Sequence, residues 1–141
     1  MSIERRVVRI GLTVALSWVL ALAPASAARQ KRARAVETGF ATFYSRSFEG
    51  KTTASGRRFD ADAPVAAHRT LPFDTVVRVT NLENRRQVTV RIIDRGPYGQ
   101  NWREGTIIDL SPAAARGLGM LKDGQVRARV EVIRRPKTSR R

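Results

Sequence analysis

Cysteine is absent from this 141-residue chain, which excludes a disulfide framework, a thiolate metal site, a cysteine nucleophile and a lipid-modified N-terminal cysteine. Histidine occurs once, at position 68, so a single chain cannot supply a two-histidine metal site. No Gly-x-Ser-x-Gly elbow is present, and no glycine-rich phosphate loop, since Gly117-Leu118-Gly119 ends a helical pattern instead of opening one. There is no internal repeat. Acidic residues are scarce, 12 against 27 Lys and Arg. Without cross-links, stability has to come from one modest hydrophobic core, and the length suits one domain.

The formal charge of +15 is unevenly spread. Residues 37–133 hold 15 Lys and Arg against 11 Asp and Glu, a net of +4. The flanks at 28–36 and 134–141 add +9, and the first 27 residues add +2. The body is therefore mildly basic, and the tails are cationic arms suited to polyanions such as wall polymers or membrane surfaces. Specific nucleic-acid binding through these tails is the weaker reading, because it conflicts with an export signal.

That signal is legible at the N-terminus. Arg5, Arg6 and Arg9 precede the apolar run Gly11 to Leu22, and Ala25-Ser26-Ala27 follows as a small-residue cleavage site. The pattern predicts a signal peptide over 1–27, a basic linker over 28–36, a folded domain over 37–133 and a basic disordered tail over 134–141. Cleavage would leave no transmembrane segment and deliver the mature chain to the periplasm or cell envelope; a retained anchor is the alternative.

Within the body, 39–44 is predicted as a first strand and 45–62 as a long polar loop. Val65 to His68 is a short apolar patch; 75–80 and 87–93 form a hairpin about Glu83-Asn84-Arg85; Asp94 to Gly99 starts a second loop. Ile107-Ile108 is a brief strand, Ser111 caps a helix beginning at Pro112 and stopped by Gly119, and 125–133 is a last alternating strand. The fold class is mainly β, with one or two short helices, and closure into a barrel avoids exposed edges.

Polar residues gather in three segments: Thr53 to Gly56, Ala66 to Pro72, and Arg91 to Pro97. Asp94 ends an apolar strand, where desolvation suits a general acid, or it caps the following turn through its side chain. His68 is either a catalytic group or a structural hydrogen-bonding residue. A Ser55-His68-Asp94 triad is conceivable, without a nucleophile elbow to support it. Asp109, between a strand and the Ser111 cap, reads as a turn or capping residue more than a catalyst.

The blocks TASGRRFD, AAHRTLPFDTVVRVTN, VRIIDRGPY, IIDLSPAAARGLGM and GQVRARVEV, in order from Thr38 to Ile133, together resemble the rare lipoprotein A (RlpA) family. The resemblance implies a six-stranded double-psi β-barrel, a fold shared with expansins, and a groove lined by the three polar segments. It implies endolytic lytic transglycosylase activity on the bond between N-acetylmuramic acid and N-acetylglucosamine in peptidoglycan glycan strands, leaving a 1,6-anhydromuramyl product. Asp94 then matches the catalytic aspartate and His68 the groove histidine; Tyr44, Thr53, Ser55, Arg57, Arg69, Arg95 and Asp109 are the expected substrate-binding residues. No metal or organic cofactor is implied, and envelope or division proteins are the class of partner that would recruit the chain.

One departure matters. Family members commonly read Ser-Gly-Glu where this sequence reads Ser55-Gly56-Arg57, and a guanidinium cannot exchange a proton at working pH. The chain also carries no lipid-anchoring cysteine and, over these 141 residues, no C-terminal glycan-binding domain of the kind found in some members. Two readings remain from different classes: an enzyme with Asp94 as acid and base, or an expansin-like module that grips glycan without turnover.

Overall fold

The computed structural model describes residues 35–137. The predicted signal peptide, most of the basic linker and the end of the tail lie outside the described residues. Among those described, no helix is long and apolar enough to cross a membrane.

Alternation of Val and Ile with polar residues produces most of the strands, and the inward set makes the core. The strands are β1 (Val36–Phe43), β2 (Val65–His68), β3 (Val76–Asn81), β4 (Gln87–Asp94), β5 (Thr106–Leu110) and β6 (Val126–Arg134). Two helices intervene, α1 (Gly99–Arg103) and α2 (Pro112–Gly117), with a single 3-10 turn at Arg46–Phe48. The strands close into a barrel in the order β1-β5-β2-β4-β3-β6. Pairing is parallel for β1 with β5 and for β2 with β4, and antiparallel elsewhere.

Val77, Val79, Val90, Ile92, Ile108, Leu110, Val126 and Val130 fill the interior, all within 2% of full burial. Ala41 and Ala66 line the same core with minimal bulk. Truncating one of the larger side chains, such as Ile92, to Ala would cost about 2–5 kcal/mol. Helix α2 adds Ala114, Ala115 and Leu118 to this core. Its start follows the predicted pattern: Ser111 Oγ accepts from the Ala114 N–H, with Pro112 at the first helical position. Asn81 and Asn84 both donate to the Leu118 carbonyl, at 3.1 and 2.8 Å, which ties the β3–β4 hairpin to the end of α2.

The structure moves several predicted bounds. The first strand begins at Val36, because β1 pairs with β6 from Val36 opposite Glu131 onwards, and the last runs on to Arg134, which pairs with Val76 of β3. The segment after Asp94, expected as loop, contains α1. Residues 45–62 are largely loop, as expected, but include the 3-10 turn and a bridge between Thr52 and Arg58. The strand expected at Ile107-Ile108 extends over Thr106–Leu110, so Asp109 is a strand residue and neither turns the chain nor caps α2. Gly39 permits the tight approach of β1 to β5, since a Cβ there would sit 2.6 Å from Ile107 Cγ2 and 2.8 Å from the Gly105 carbonyl.

Candidate active site

Four adjacent strands place four residues in a row. Thr42 on β1 pairs with Asp109 on β5, Asp109 with Ala67 on β2, and Ala67 with Asp94 on β4. Alternation along β5 turns Ile108 and Leu110 into the core and leaves Asp109 on the other face, only partly covered. Ala67 is fully buried and presents only a methyl group between the two aspartates.

Asp94 accepts three hydrogen bonds. The Tyr44 hydroxyl donates to Oδ2 at 2.9 Å, and Oδ1 accepts from the Ala54 N–H at 2.8 Å and the Arg95 N–H at 2.9 Å. The Ala54 contact depends on a tight turn: the Thr53 N–H and hydroxyl both donate to the Arg57 carbonyl at 2.8 Å, and the Ser55 N–H donates to the Ile93 carbonyl. Burial, the bond to Asp94 and the charges of Asp94 and Asp109 push the Tyr44 hydroxyl far above its ordinary range, so it stays a donor.

Asp109 accepts a hydrogen bond from the Thr42 hydroxyl at Oδ1. Burial raises its pKa above the ordinary carboxyl value; the Thr42 bond opposes the rise and the charge of Asp94 adds to it. Gly96 covers the other oxygen: its φ is +148°, and a Cβ there would lie 3.3 Å from Asp109 Oδ2.

Of the predicted site residues, Tyr44, Asp94 and Asp109 meet directly or through this row, and the loop of Thr53 and Ser55 closes on it. Thr53 Oγ1 and Ser55 Oγ lie 3.0 Å apart and hold the turn. Arg57 points elsewhere, to Asp74 at 2.8 Å, an acid that Arg91 also meets at 3.4 Å. Arg95 turns back from Asp94: Nη1 donates to the Leu71 and His68 carbonyls at 2.9 and 3.2 Å, and its guanidinium lies 3.8 Å over the Phe73 ring. Arg69 stacks on Trp102 at 3.8 Å.

His68 is buried and bonded on both nitrogens. Nδ1 accepts from the Thr70 and Leu71 N–H groups at 3.2 Å, so the proton of the neutral ring sits on Nε2, 3.0 Å from Glu37 Oε2. The ring lines a hollow of ≈ 340 Å³ with Glu37, Leu71 and Val132 and forms no hydrogen bond to Asp94 or Ser55. The Ser55-His68-Asp94 triad is therefore not assembled.

Thr42 and the strand position of Asp109 were missed in the sequence. The signal that would have found Asp109 is the period-two pattern Ile108, Asp109, Leu110, with a polar residue facing out between two core residues.

A closed barrel with this strand order and two parallel pairings is a double-psi β-barrel, and the polar row runs across four of its adjacent strands. Residues 36–130 match the family described as lytic transglycolase, and the chain belongs to this RlpA-like double-psi β-barrel family. It is 55% identical over 95 residues to the probable endolytic peptidoglycan transglycosylase RlpA of Treponema pallidum, covering 67% of this chain and 29% of that one. It is 47% identical over 95 residues to the endolytic peptidoglycan transglycosylase RlpA of Campylobacter jejuni, covering 67% of this chain and 33% of that one. The chain thus spans about a third or less of these two relatives. Among solved structures, the Streptomyces papain inhibitor is similar with a TM-score of 0.56 and 26% identity, over 71% of this chain and 96% of that one. An expansin of Clavibacter michiganensis gives 0.55 and 25% identity, over 72% of this chain and 52% of that one.

Proposed function

We propose that this chain is an endolytic lytic transglycosylase that cuts peptidoglycan glycan strands between N-acetylmuramic acid and N-acetylglucosamine. The observation that carries the reading is the paired carboxyl site: Asp94, fixed by three donors, with Asp109 beyond Ala67 on the same face. The names of the relatives support the substrate class.

Burial and the charge of Asp94 raise the pKa of Asp109. In the proposed reaction Asp94, in its protonated form, gives a proton to the glycosidic oxygen as the bond from muramyl C1 breaks. The C6 hydroxyl then closes on C1, and its proton passes to the Asp94 carboxylate, leaving a 1,6-anhydro ring and the acid restored. No water enters, so one proton carrier suffices where hydrolysis uses two carboxyl groups. Asp109 lends negative charge beside the developing oxocarbenium ion, and its presence supplies a second carboxyl that Arg57 does not. Arg95 and His68 act as positioning residues: His68 Nδ1 shapes the turn at 68–71, and Arg95 holds that turn against the end of β4. Glycan strands lie outside the cytoplasm, so the proposal includes export, which the N-terminal charge and apolar pattern supports.

A second reading, a glycan-gripping module without turnover, is favoured by the engagement of Arg57 with Asp74, which leaves no acid at that loop position. Digestion of purified sacculi with mass spectrometry of the products decides between them. Anhydromuropeptides released by the wild type and lost in Asp94→Asn are the expected result, with a rate loss of about 10²–10⁴-fold. Sacculus binding with no released product would leave the binding module; equal release by both proteins would remove Asp94 from the reaction.

A further inference from the structure

Beside the carboxyl row stands a group of side chains that the proposed cleavage does not use. Tyr98 is 62% exposed and Trp102 is 43% exposed, both in the segment that joins Asp94 to Asp109. The Arg69 guanidinium lies 3.8 Å over the Trp102 ring and 5.9 Å from the Tyr98 ring centroid. Arg69 makes no ion pair or side-chain hydrogen bond among the described residues. Stacking fixes the plane of a guanidinium while leaving its N–H edge free, and that edge matches a carboxylate in a two-point contact.

The position along the carboxyl row is set by register. Arg69 follows β2, which runs antiparallel to β5, so it lies beyond Ala67 toward the start of β5. Tyr44 and Ser55 lie on the opposite side, bonded to the carbonyls of Leu110 and Ile93. Tyr98 lies close to the carboxyl row, since a Cβ on Gly96 would be 3.9 Å from Tyr98 Cδ2 and 3.3 Å from Asp109 Oδ2. A polymer crossing Asp94 and Asp109 therefore meets exposed aromatic faces and a fixed cation at one end.

We infer that Arg69, Trp102 and Tyr98 form a subsite for a sugar ring that bears a carboxylate. The apolar face of the ring packs on the aromatic surface and the carboxylate pairs with the free edge of Arg69. Charge complementarity supports this occupant, because Asp94 and Asp109 repel an anion and Arg69 is the cation that receives it next to them. The carboxylate comes either from the lactyl ether of a muramyl unit or from a peptide attached to it. The inference rests on the glycan-binding part of the proposed function and is independent of cleavage.

The test is a binding titration in the full chain carrying Asp94→Asn, so that strands stay intact, and Trp18→Phe, so that Trp102 is the one remaining tryptophan. The probes are peptide-free glycan strands with free carboxylates, the same strands with the carboxylates capped as neutral amides, and peptide-bearing strands. Strands with free carboxylates should quench Trp102 and bind roughly 10- to 100-fold tighter than capped ones, the range for a charge-assisted pair. Arg69→Gln should bring that ratio close to one. Arg69→Lys, which keeps the charge and loses the stacked fork, should give an intermediate ratio. Arg103→Gln removes the same charge from α1 without touching the stack and should preserve the ratio. Tight binding of peptide-free strands assigns the lactyl carboxylate; tight binding of peptide-bearing strands alone assigns the peptide. A parent that prefers neither free-carboxylate nor peptide-bearing strands over capped ones, a preference unchanged by Arg69→Gln, or an equal drop in Arg103→Gln overturns the inference. Sacculus digestion by the unmutated chain reports separately on cleavage, so a protein that discriminates but does not cut loses only the catalytic reading.

Discussion

Asp94 and Asp109 face the same residue from opposite sides: Ala67 pairs with Asp94 across β4 and with Asp109 across β5. The two carboxyls belong to strands that follow one another in sequence but are separated in the barrel by β2. This spacing lets the charge of Asp94 raise the Asp109 pKa while each carboxyl sits on its own strand.

Tyr44 is the first test of the site. Tyr44→Phe removes the hydroxyl that donates to Asp94 Oδ2 and leaves the ring packed against Phe48 and Phe59. A hydrogen bond to a charged group is worth about 1.5–3 kcal/mol. The rate of anhydromuropeptide release should fall roughly 10- to 100-fold. An unaltered rate and pH profile would show that the bond does not serve the reaction.

Asp109 should leave a signature in the pH dependence of stability. Its folded pKa is raised above 3.8, so the folded state binds this proton more tightly than the unfolded chain does. The resulting stability is present below that value and is lost as pH rises through the raised one. Asp109→Asn has no such loss. Urea unfolding in acid and in neutral buffer should show the Asn variant gaining on the wild type as pH rises; a constant difference would remove the linkage.

Arg57 offers a sharper contrast with its family. Arg57→Glu sets a second acid beside Asp74 and loses a half-exposed ion pair, which should cost no more than about 1 kcal/mol in denaturant titration. The Ala54 N–H contact to Asp94 is made by backbone in the same turn and should survive. A rise in sacculus cleavage is expected if the new carboxyl assists proton transfer; a larger loss of stability would mean that Asp74 anchors the whole 51–58 loop.

Gly96 has little room to change beside the carboxyl row. Gly96→Ala puts a Cβ 3.3 Å from Asp109 Oδ2 on a backbone with φ +148°, a conformation costing about 1–3 kcal/mol for other residues. Both the thermal midpoint and the cleavage rate should drop. Retention of both would show that the turn can shift away from Asp109.

The legible parts of the fold were those written in local periodicity. Val88, Val90 and Ile92 alternate, and Ser111-Pro112 carries its own helix start. Helix α1 was hidden because Gly99–Arg103 is one short turn with no buried residue and so no apolar stripe. Strand order was hidden because β2 enters between β4 and β5, a pairing that no local pattern encodes. For the site, Asp94 was marked by the apolar strand it ends. The true partners of Arg57, Arg95 and His68 were not legible, since Asp74, Leu71 and Glu37 come to them only through the turns and the barrel.

The strand order has a consequence for when the site exists at all. Thr42, Ala67, Asp94 and Asp109 lie on four strands, and β2 must slot between β4 and β5 before the two acids share a face. Such non-local pairing forms late and cooperatively, after the entropic cost of long loop closures. A nascent or partly unfolded chain holds every chemical group and no working site. If the chain cuts glycan as proposed, it cannot do so until its barrel shuts.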